Sequence, residues 1–231
     1  MIGFYNYTTI LTYLSLVSAG LGIVSALSGS GHPYIGMFFL LFCGLCDAFD
    51  GKVARTKKDR TDIECKFGIQ IDSLSDIVAF GVLPVCIGVG LMKADILTAF
   101  HASVGLGRIL ITFLILVMSF YLLAGMIRLA YFNVMEEERQ KTEEGARLYY
   151  TGLPITSAAI VFPFILSLNY ALKRVADIDI TYLYFVFMSL CAVLFVAKIQ
   201  LRKPGLKAIL ILVGIGLLEA LTPVVINLLS K

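Results

Sequence analysis

The chain has 231 residues, of which 59% are hydrophobic and 15% charged, and its mean hydropathy is +0.90. These values exclude an ordinary soluble domain, in which about a quarter of the residues are charged. The formal net charge is only +3, and no basic stripe with interleaved aromatic residues is visible. We therefore expect the lipid bilayer, and no nucleic acid, as a partner of this protein.

Seven apolar stretches approach the roughly 20 residues that a transmembrane helix needs. None of them alternates in polarity as the strands of a membrane barrel do. We therefore predict an all-α fold, a polytopic membrane helical bundle with six to seven transmembrane helices, built as a single membrane domain over residues 1–231. In chain order the stretches cover residues about 8–28, 33–54, 67–92, 107–134, 152–172, 179–199 and 205–228.

The basic residues predict the orientation of the bundle. Most lysines and arginines fall in alternate loops, with a dense group in the loop around 52–66. The positive-inside rule then places the N-terminus and this loop in the cytoplasm, as expected of a prokaryotic cytoplasmic membrane. No lysine or arginine precedes Lys52, so the basic region of a signal peptide is missing, and we expect the first segment to be retained.

The polar insert EEERQKTEEGAR (136–147) follows the fourth stretch directly. Its acidic and basic residues are mixed, which is typical of a solvated helix surface. We therefore expect the insert to continue the fourth helix into water.

The second stretch ends in CDAFDGKVAR (46–55), although ionised groups at the end of an apolar helix are costly. Asp47, Asp50, Gly51 and Ala54 follow one another at i, i+3, i+4 and i+7. This spacing places two carboxylates and two minimal side chains on one face of the second helix.

The third stretch repeats the pattern in FGIQIDSLSDIVAFG (67–81), where Gly68, Asp72 and Asp76 stand at i, i+4 and i+8. Four carboxylates on two neighbouring helices repel one another unless protons or cations match them. Oxygen-only ligands suit Mg²⁺, Mn²⁺ or Ca²⁺. A helix face cleared by glycine would let a diphosphate lie beside such an ion, although small residues also allow close helix packing.

These positions resemble the signature of the CDP-alcohol phosphotransferase family, D-x-x-D-G-x-x-A-R, a spacer, and G-x-x-x-D-x-x-x-D. The flanking stretches 72–84, 127–134 and 149–154 are similar to the phosphatidylserine synthase branch. The resemblance spans residues about 9 to 160, and the family's catalytic core would cover about 9–200, with 205–228 as an additional transmembrane helix. The matching residues are Asp47, Asp50, Gly51, Ala54, Arg55, Gly68, Asp72 and Asp76.

The resemblance implies a CDP-linked lipid donor, two divalent cations (Mg²⁺ or Mn²⁺), and a homodimer, which is typical of the family. It also implies that Asp76 acts as general base on the acceptor hydroxyl, which attacks the lipid-bearing phosphorus while CMP leaves. The implied metal ligands are Asp47, Asp50, Asp72 and Asp76. The implied nucleotide and donor contacts are Gly51, Ala54, Arg55 and Gly68.

The acceptor site is predicted from Arg128, a basic residue inside a long apolar stretch, and from Asn133. An intramembrane charge is a candidate functional group, and one arginine suits the carboxylate of L-serine. Snorkelling of Arg128 towards the membrane surface is the alternative. Arg147 and Lys66 stay open as further contributors.

Together these features predict transfer of a phosphatidyl group from CDP-diacylglycerol to L-serine. Two alternatives keep the chemistry and change a substrate: a polyol phosphate acceptor or an ether-lipid CDP donor. A cation-coupled transporter is the alternative of another class, but the internal repeats and broken helices typical of transporters are not visible.

Two features depart from the family's pattern. The spacer 56–67 is longer than usual, which predicts an enlarged cytoplasmic loop whose role the sequence does not indicate. Serine synthases of the family often carry asparagines near the start of the first helix. Thr9 and Ser15 stand there in this chain, beside Thr12.

Overall fold

The computed structural model describes residues 3–28, 32–93, 104–142 and 149–229, and helices dominate these ranges. A π-helical segment, Ile77–Val82, joins the third helix to the fourth, and short 3₁₀ helices cover Tyr7–Thr9 and Ile155–Ser157. The α-helices are α1 (Ile10–Leu27), α2 (Pro33–Ala54), α3 (Asp62–Asp76), α4 (Leu83–Leu91), α5 (Val104–Thr142), α6 (Ala158–Val175), α7 (Tyr182–Val196) and α8 (Leu206–Leu229).

Six helical stretches are long and apolar enough to cross a membrane, and α7 is a shorter apolar helix. The predicted all-α membrane bundle is therefore confirmed, and the chain is an integral membrane protein. The predicted segment 205–228 corresponds to the long apolar helix α8. The six stretches are Tyr7–Leu27, Pro33–Ala54, Asp62–Leu91, Gly107–Arg139, Ile155–Val175 and Leu206–Leu229.

The third helical stretch begins at Asp62, earlier than the predicted start at residue 67. A capping box explains the difference, since the Glu64 backbone N–H donates to Thr61 Oγ1 at 3.2 Å. In return, the Thr61 backbone N–H donates to Glu64 Oε2 at 2.9 Å. These bonds satisfy two N–H groups that a helix start leaves without partners. Only residues 56–61 of the long spacer therefore lie between the helices.

The fourth predicted stretch continues into the polar insert as expected, because α5 extends to Thr142. Arg139 and Glu136 form an ion pair with Nη2 and Oε1 2.7 Å apart, and Lys141 pairs with Glu138 over the same distance. Such pairs on neighbouring turns support an exposed helix. Residues 143–147 of the insert lie outside the described residues.

The bundle is held by the packing of α1 on α2, α5 on α7 and α6 on α8. Two fully buried tyrosines anchor the joined rod of α3 and α4 at its middle. The Tyr121 hydroxyl donates to the Phe80 oxygen at 2.6 Å, and the Tyr184 hydroxyl donates to the Pro84 oxygen at 2.8 Å. Pro84 has no N–H to offer the Phe80 oxygen four residues earlier, and the Tyr121 hydroxyl donates to that oxygen.

A short two-stranded sheet, which was not predicted, connects the chain before α6 with the chain after α7. Strand β1 (Tyr149–Thr151) pairs antiparallel with β2 (Gln200–Arg202). Gly152 follows β1 with a φ of +77°, and an added Cβ there would lie 2.7 Å from the Phe195 oxygen. Glycine therefore suits both the backbone conformation and the close contact at this position.

Candidate active site

Three of the aspartates form a compact cluster where α2 and α3 meet. One carboxylate oxygen from each of Asp47, Asp50 and Asp72 lies within 4.8 Å of the others, and Asp50 is only 9% exposed. Like charges this close need a compensating cation or protons. A donor set made only of carboxylate oxygens fits hard divalent cations such as Mg²⁺ and Mn²⁺. The cluster is thus able to bind a metal ion.

The fourth aspartate, Asp76, lies one helical turn beyond Asp72 and outside the cluster of three. It lines the same cavity as Asp47 and Asp72. Asp76 lies close enough to the three clustered aspartates and to Arg128 to feel their opposite charges. The structure therefore places Asp76 beside the cluster, and its predicted roles as metal ligand and general base remain predictions.

A cavity of about 560 Å³ opens beside these aspartates. Its polar end carries Asp47, Asp72 and Asp76 and, from α5, Arg128 and Asn133. Both predicted acceptor residues therefore share a cavity with the predicted base. The rest of the wall is mainly apolar and comes from α2, α6 and α8, and it includes Leu41, Phe42, Ile160, Leu212 and Leu217.

A second cavity, of about 350 Å³, lies on the other side of the cluster, towards α1. All four residues that the resemblance implies for donor binding line it, together with Asp50 and Asp72. Three threonines near the start of α1 also line it. The two cavities share Gly51, Arg55 and Asp72, so they meet at the acidic cluster. The implied donor residues are Gly51, Ala54, Arg55 and Gly68, and the threonines are Thr8, Thr9 and Thr12.

Arg128 is held inside the bundle and is 5% exposed. Its Nε atom donates to the backbone oxygen of Leu153 at 3.1 Å, and its guanidinium carbon lies 4.8 Å from the centre of the Phe132 ring. The alternative in which this side chain snorkels to the membrane surface does not match its burial. Asn133, on the same helix, donates from Nδ2 to Ser73 Oγ at 2.8 Å.

The large cavity also contains a residue that no sequence pattern indicated. Tyr150 and Lys203 both line the large cavity, and Lys203 Nζ lies 5.7 Å from the centre of the Tyr150 ring. Lys203 belongs to no sequence motif. It reaches the site because β1 pairs with β2, which ends directly before it. Lys66 is exposed and lines neither cavity. Arg147 lies outside the described residues.

Sequence comparison with known proteins identifies the family. Residues 5–218 match the CDP-alcohol phosphatidyltransferase family. A CDP-diacylglycerol–serine O-phosphatidyltransferase of Helicobacter pylori is 30% identical over 190 residues, which cover 82% of this chain and 69% of that relative. The enzyme of the same name from Saccharomyces cerevisiae is 33% identical over 171 residues, covering 71% of this chain and 53% of the relative.

An archaetidylserine synthase of Methanothermobacter thermautotrophicus is 35% identical over 148 residues, which cover 64% of this chain and 53% of that relative. The chain thus spans about half the length of the yeast and archaeal relatives. The family match extends over most of the chain and includes both aspartate-bearing helices. This chain therefore belongs to the CDP-alcohol phosphatidyltransferase family.

Proposed function

We propose that this protein transfers a phosphatidyl group from CDP-diacylglycerol to L-serine, giving phosphatidylserine and CMP, as a step of phospholipid biosynthesis. The observation that carries the choice of serine is the position of Arg128, a buried cation that shares the large cavity with Asp76. Serine offers one carboxylate for this arginine and one hydroxyl for the aspartate. The names of the bacterial and yeast relatives support the same acceptor.

The metal site would be formed by Asp47, Asp50 and Asp72, with Asp76 as a further ligand of a two-ion centre. Divalent cations bound there would neutralise the donor's diphosphate and stabilise the departing phosphate. The family uses such ions, and the clustered carboxylate oxygens are the ligands that Mg²⁺ and Mn²⁺ prefer.

The donor would lie across the acidic cluster, with its nucleotide in the smaller cavity and its lipid chains against the apolar wall of the larger one. Gly51 and Ala54 line the smaller cavity, where their small side chains leave the helix backbone accessible to the diphosphate. Arg55 lines both cavities. Its guanidinium would therefore neutralise phosphate charge at the junction.

The acceptor would enter the polar end of the large cavity. Arg128 would pair with the serine carboxylate, and Asn133, whose amide contacts Ser73, would complete the wall. Asp76 would accept the hydroxyl proton as the serine oxygen forms its bond to the lipid-bearing phosphorus. The bond from that phosphorus to the bridging oxygen then breaks, and CMP leaves with the electron pair.

The membrane arrangement is part of the proposal. The basic loop around 52–66 and the acidic cluster lie at the same end of α2. By the positive-inside rule, this supports a cytoplasmic N-terminus and a cytoplasmic active site. This is the side on which a soluble acceptor such as serine is available in a prokaryotic cell. We further propose a homodimer, which is the assembly typical of the family.

One variant of the function has support of its own. The archaeal relative is named for an archaetidyl product, so an ether-linked CDP donor is a second candidate for the lipid substrate.

CMP release from the purified protein in detergent tests the function. The reaction would contain Mn²⁺ and either CDP-diacylglycerol or its ether-linked analogue, with L-serine, glycerol 3-phosphate, inositol phosphate or no acceptor. We expect release that depends on serine, disappears in Asp76→Asn, stops with EDTA and returns with Mn²⁺ or Mg²⁺. Release with a phosphorylated acceptor alone would contradict the assignment of serine and retain the family chemistry.

A further inference from the structure

The segment 56–61 between α2 and α3, called here the spacer loop, is fastened to the rest of the protein through Glu64. Glu64 Oε1 accepts from Lys57 Nζ at 2.9 Å and from Asn6 Nδ2 at 3.1 Å. Glu64 Oε2 accepts from the backbone N–H of Thr61 at 2.9 Å. One carboxylate thus connects the loop, the start of α3 and the N-terminal segment, which gives the loop a defined position.

This position places Arg60 in the wall of the smaller cavity, together with Asp50 and Asp72. Its Nη2 atom donates to the Glu64 backbone oxygen at 3.2 Å. The guanidinium lies on the bare face of Gly68, since a Cβ added to that glycine would be 2.5 Å from Arg60 Nη2. A residue of the long spacer therefore contacts a residue of the family signature.

The guanidinium of Arg60 is incompletely satisfied in this position. Its Nε atom is buried and has no hydrogen-bond partner within the described part of the chain. A buried donor without a partner is costly, and an anion entering the cavity would remove that cost. The planar fork of arginine matches phosphate oxygens with two parallel hydrogen bonds. The observations therefore indicate a phosphate ligand.

The division of the cavities identifies which phosphate. Arg55 lines both cavities, whereas Arg60 lines the smaller one and is absent from the wall of the larger. The smaller cavity carries all four residues implied for donor binding, Gly51, Ala54, Arg55 and Gly68. The mainly apolar wall that suits acyl chains belongs to the larger cavity. A cation confined to this side would meet the nucleotide half of the donor.

We propose that Arg60 binds the phosphate that leaves with the nucleoside, so that the lengthened spacer adds a second guanidinium to the donor site. This inference rests on the proposed function, because it takes a cytidine nucleotide as the ligand of the smaller cavity. Arg60 holds the leaving group through its phosphate and has no contact with the acceptor, so its loss should affect the donor more than serine.

Binding of CMP to the full-length protein in detergent with Mg²⁺, measured by calorimetry, tests this inference. Arg60→Gln should weaken CMP binding about tenfold, the loss expected for one charge-assisted hydrogen-bonding group. Arg60→Lys should bind CMP more weakly than the wild type and more tightly than Arg60→Gln, because lysine keeps the charge and loses the planar fork. Lys58→Gln is the matched control from the same loop, since Lys58 is exposed and lines neither cavity, and it should bind CMP as the wild type does.

Turnover provides the second measurement. Arg60→Gln should raise the KM for CDP-diacylglycerol several-fold and leave the KM for L-serine within about twofold, because Arg60 is not in the acceptor cavity. If Arg60 had only a structural role, its replacement would change the KM for CDP-diacylglycerol and the KM for L-serine together. Arg60→Met, which keeps the apolar stem over Gly68, replaces Arg60→Gln if the glutamine variant unfolds at a lower temperature than the wild type.

Unchanged or tighter CMP binding in a folded Arg60→Gln or Arg60→Met variant would overturn the inference, since the guanidinium would then only cover Gly68. Failure of the proposed function would look different. A wild-type protein that binds CMP but gives no serine-dependent release would contradict the function, and the comparison of CMP affinities would still decide the role of Arg60.

Discussion

The Nε atom of Arg128 donates a hydrogen bond to the backbone oxygen of Leu153, 3.1 Å away. This contact ties the middle of α5 to the chain that follows β1, where Gly152 turns with a positive φ. The Phe132 ring lies against the guanidinium, so the side chain is held in one direction. The arginine is therefore preorganised at the wall of the large cavity, where it need not reorder to meet an anion.

Replacing Arg128 by lysine or methionine should reduce kcat/KM for L-serine by about a hundredfold or more, because removing one member of a buried charge pair costs several kcal/mol. Lysine should not restore activity, since it cannot reproduce the fork that contacts both Leu153 and an incoming carboxylate. Initial rates of CMP release at varied serine concentration measure the effect.

Arg139→Gln is the matched control, because Arg139 lies on the same helix and pairs with Glu136 near the surface. Such pairs contribute little to stability, so serine kinetics should be unchanged. An Arg128 variant that keeps the wild-type KM for serine and loses only affinity for CDP-diacylglycerol would move this arginine to the donor side.

The aspartates should divide into two kinetic classes. Asn in place of Asp47, Asp50 or Asp72 removes a charge from the compact cluster, which should raise the Mn²⁺ concentration needed for half-maximal activity by tenfold or more, as loss of a charged ligand predicts. Asp76→Asn should lower kcat by about a hundredfold or more through loss of the base, with a smaller change in the Mn²⁺ requirement. Metal titrations of CMP release distinguish the classes.

Asp59→Asn is a suitable control for this series, because Asp59 is an exposed residue of the spacer loop. It should leave both constants unchanged. An equal loss of Mn²⁺ affinity in all four cluster and base variants would show that Asp76 acts mainly as a ligand, and a fully active Asp76→Asn would remove it from the mechanism.

The acidic cluster of Asp47, Asp50 and Asp72 could be predicted from the sequence because the spacing on each helix is local. Residues at i, i+3 and i+4 share a helix face whatever the tertiary fold, so Asp47 and Asp50 had to project together once α2 was a helix. The same holds for Gly68, Asp72 and Asp76 on α3. Only the contact between the acidic faces of α2 and α3 could not be predicted from the spacing along each helix.

Other parts of the site depend on contacts between residues far apart in the chain. Lys203 reaches Tyr150 through the pairing of β1 with β2, and strands of three residues are too short for their alternation to be recognised. The apolar wall contributed by α8 follows from its packing on α6. The early start of α3 could have been predicted, because the capping box of Thr61 and Glu64 is visible in the sequence.

The ion pair of Lys57 and Glu64 predicts a definite pH dependence of stability. Hydrogen bonding to Glu64 raises the pKa of Lys57 above its ordinary value, which is about 10.4 in an unfolded chain. Because the folded pKa is the higher one, the pair's full stabilisation is present below about pH 10 and is lost as the pH rises through the folded pKa. The difference in unfolding temperature between wild type and Lys57→Met should therefore be constant from about pH 6 to 9 and shrink at higher pH.

Lys58→Met serves as the control, since Lys58 is exposed and the ion pair with Glu64 is made by Lys57. The difference in unfolding temperature between wild type and Lys58→Met should not change with pH. A difference between wild type and Lys57→Met that instead grew with rising pH would contradict the sign of the effect. It would mean that the charged lysine destabilises the loop.

The contact between Gly90 in α4 and the backbone of α1 predicts a contrast between two Gly→Ala variants. A Cβ on Gly90 in α4 would lie 2.7 Å from the backbone oxygen of Ala26 in α1, whereas one on Gly20 would meet nothing within 4 Å. Gly90→Ala should therefore destabilise the protein by about 1–3 kcal/mol, because two helix backbones would have to separate. Gly20→Ala should be neutral or stabilising by up to about 1 kcal/mol, since alanine is the better helix former. Thermal unfolding of both variants in detergent measures the contrast, and equal unfolding temperatures would show that α1 and α4 can shift apart without cost.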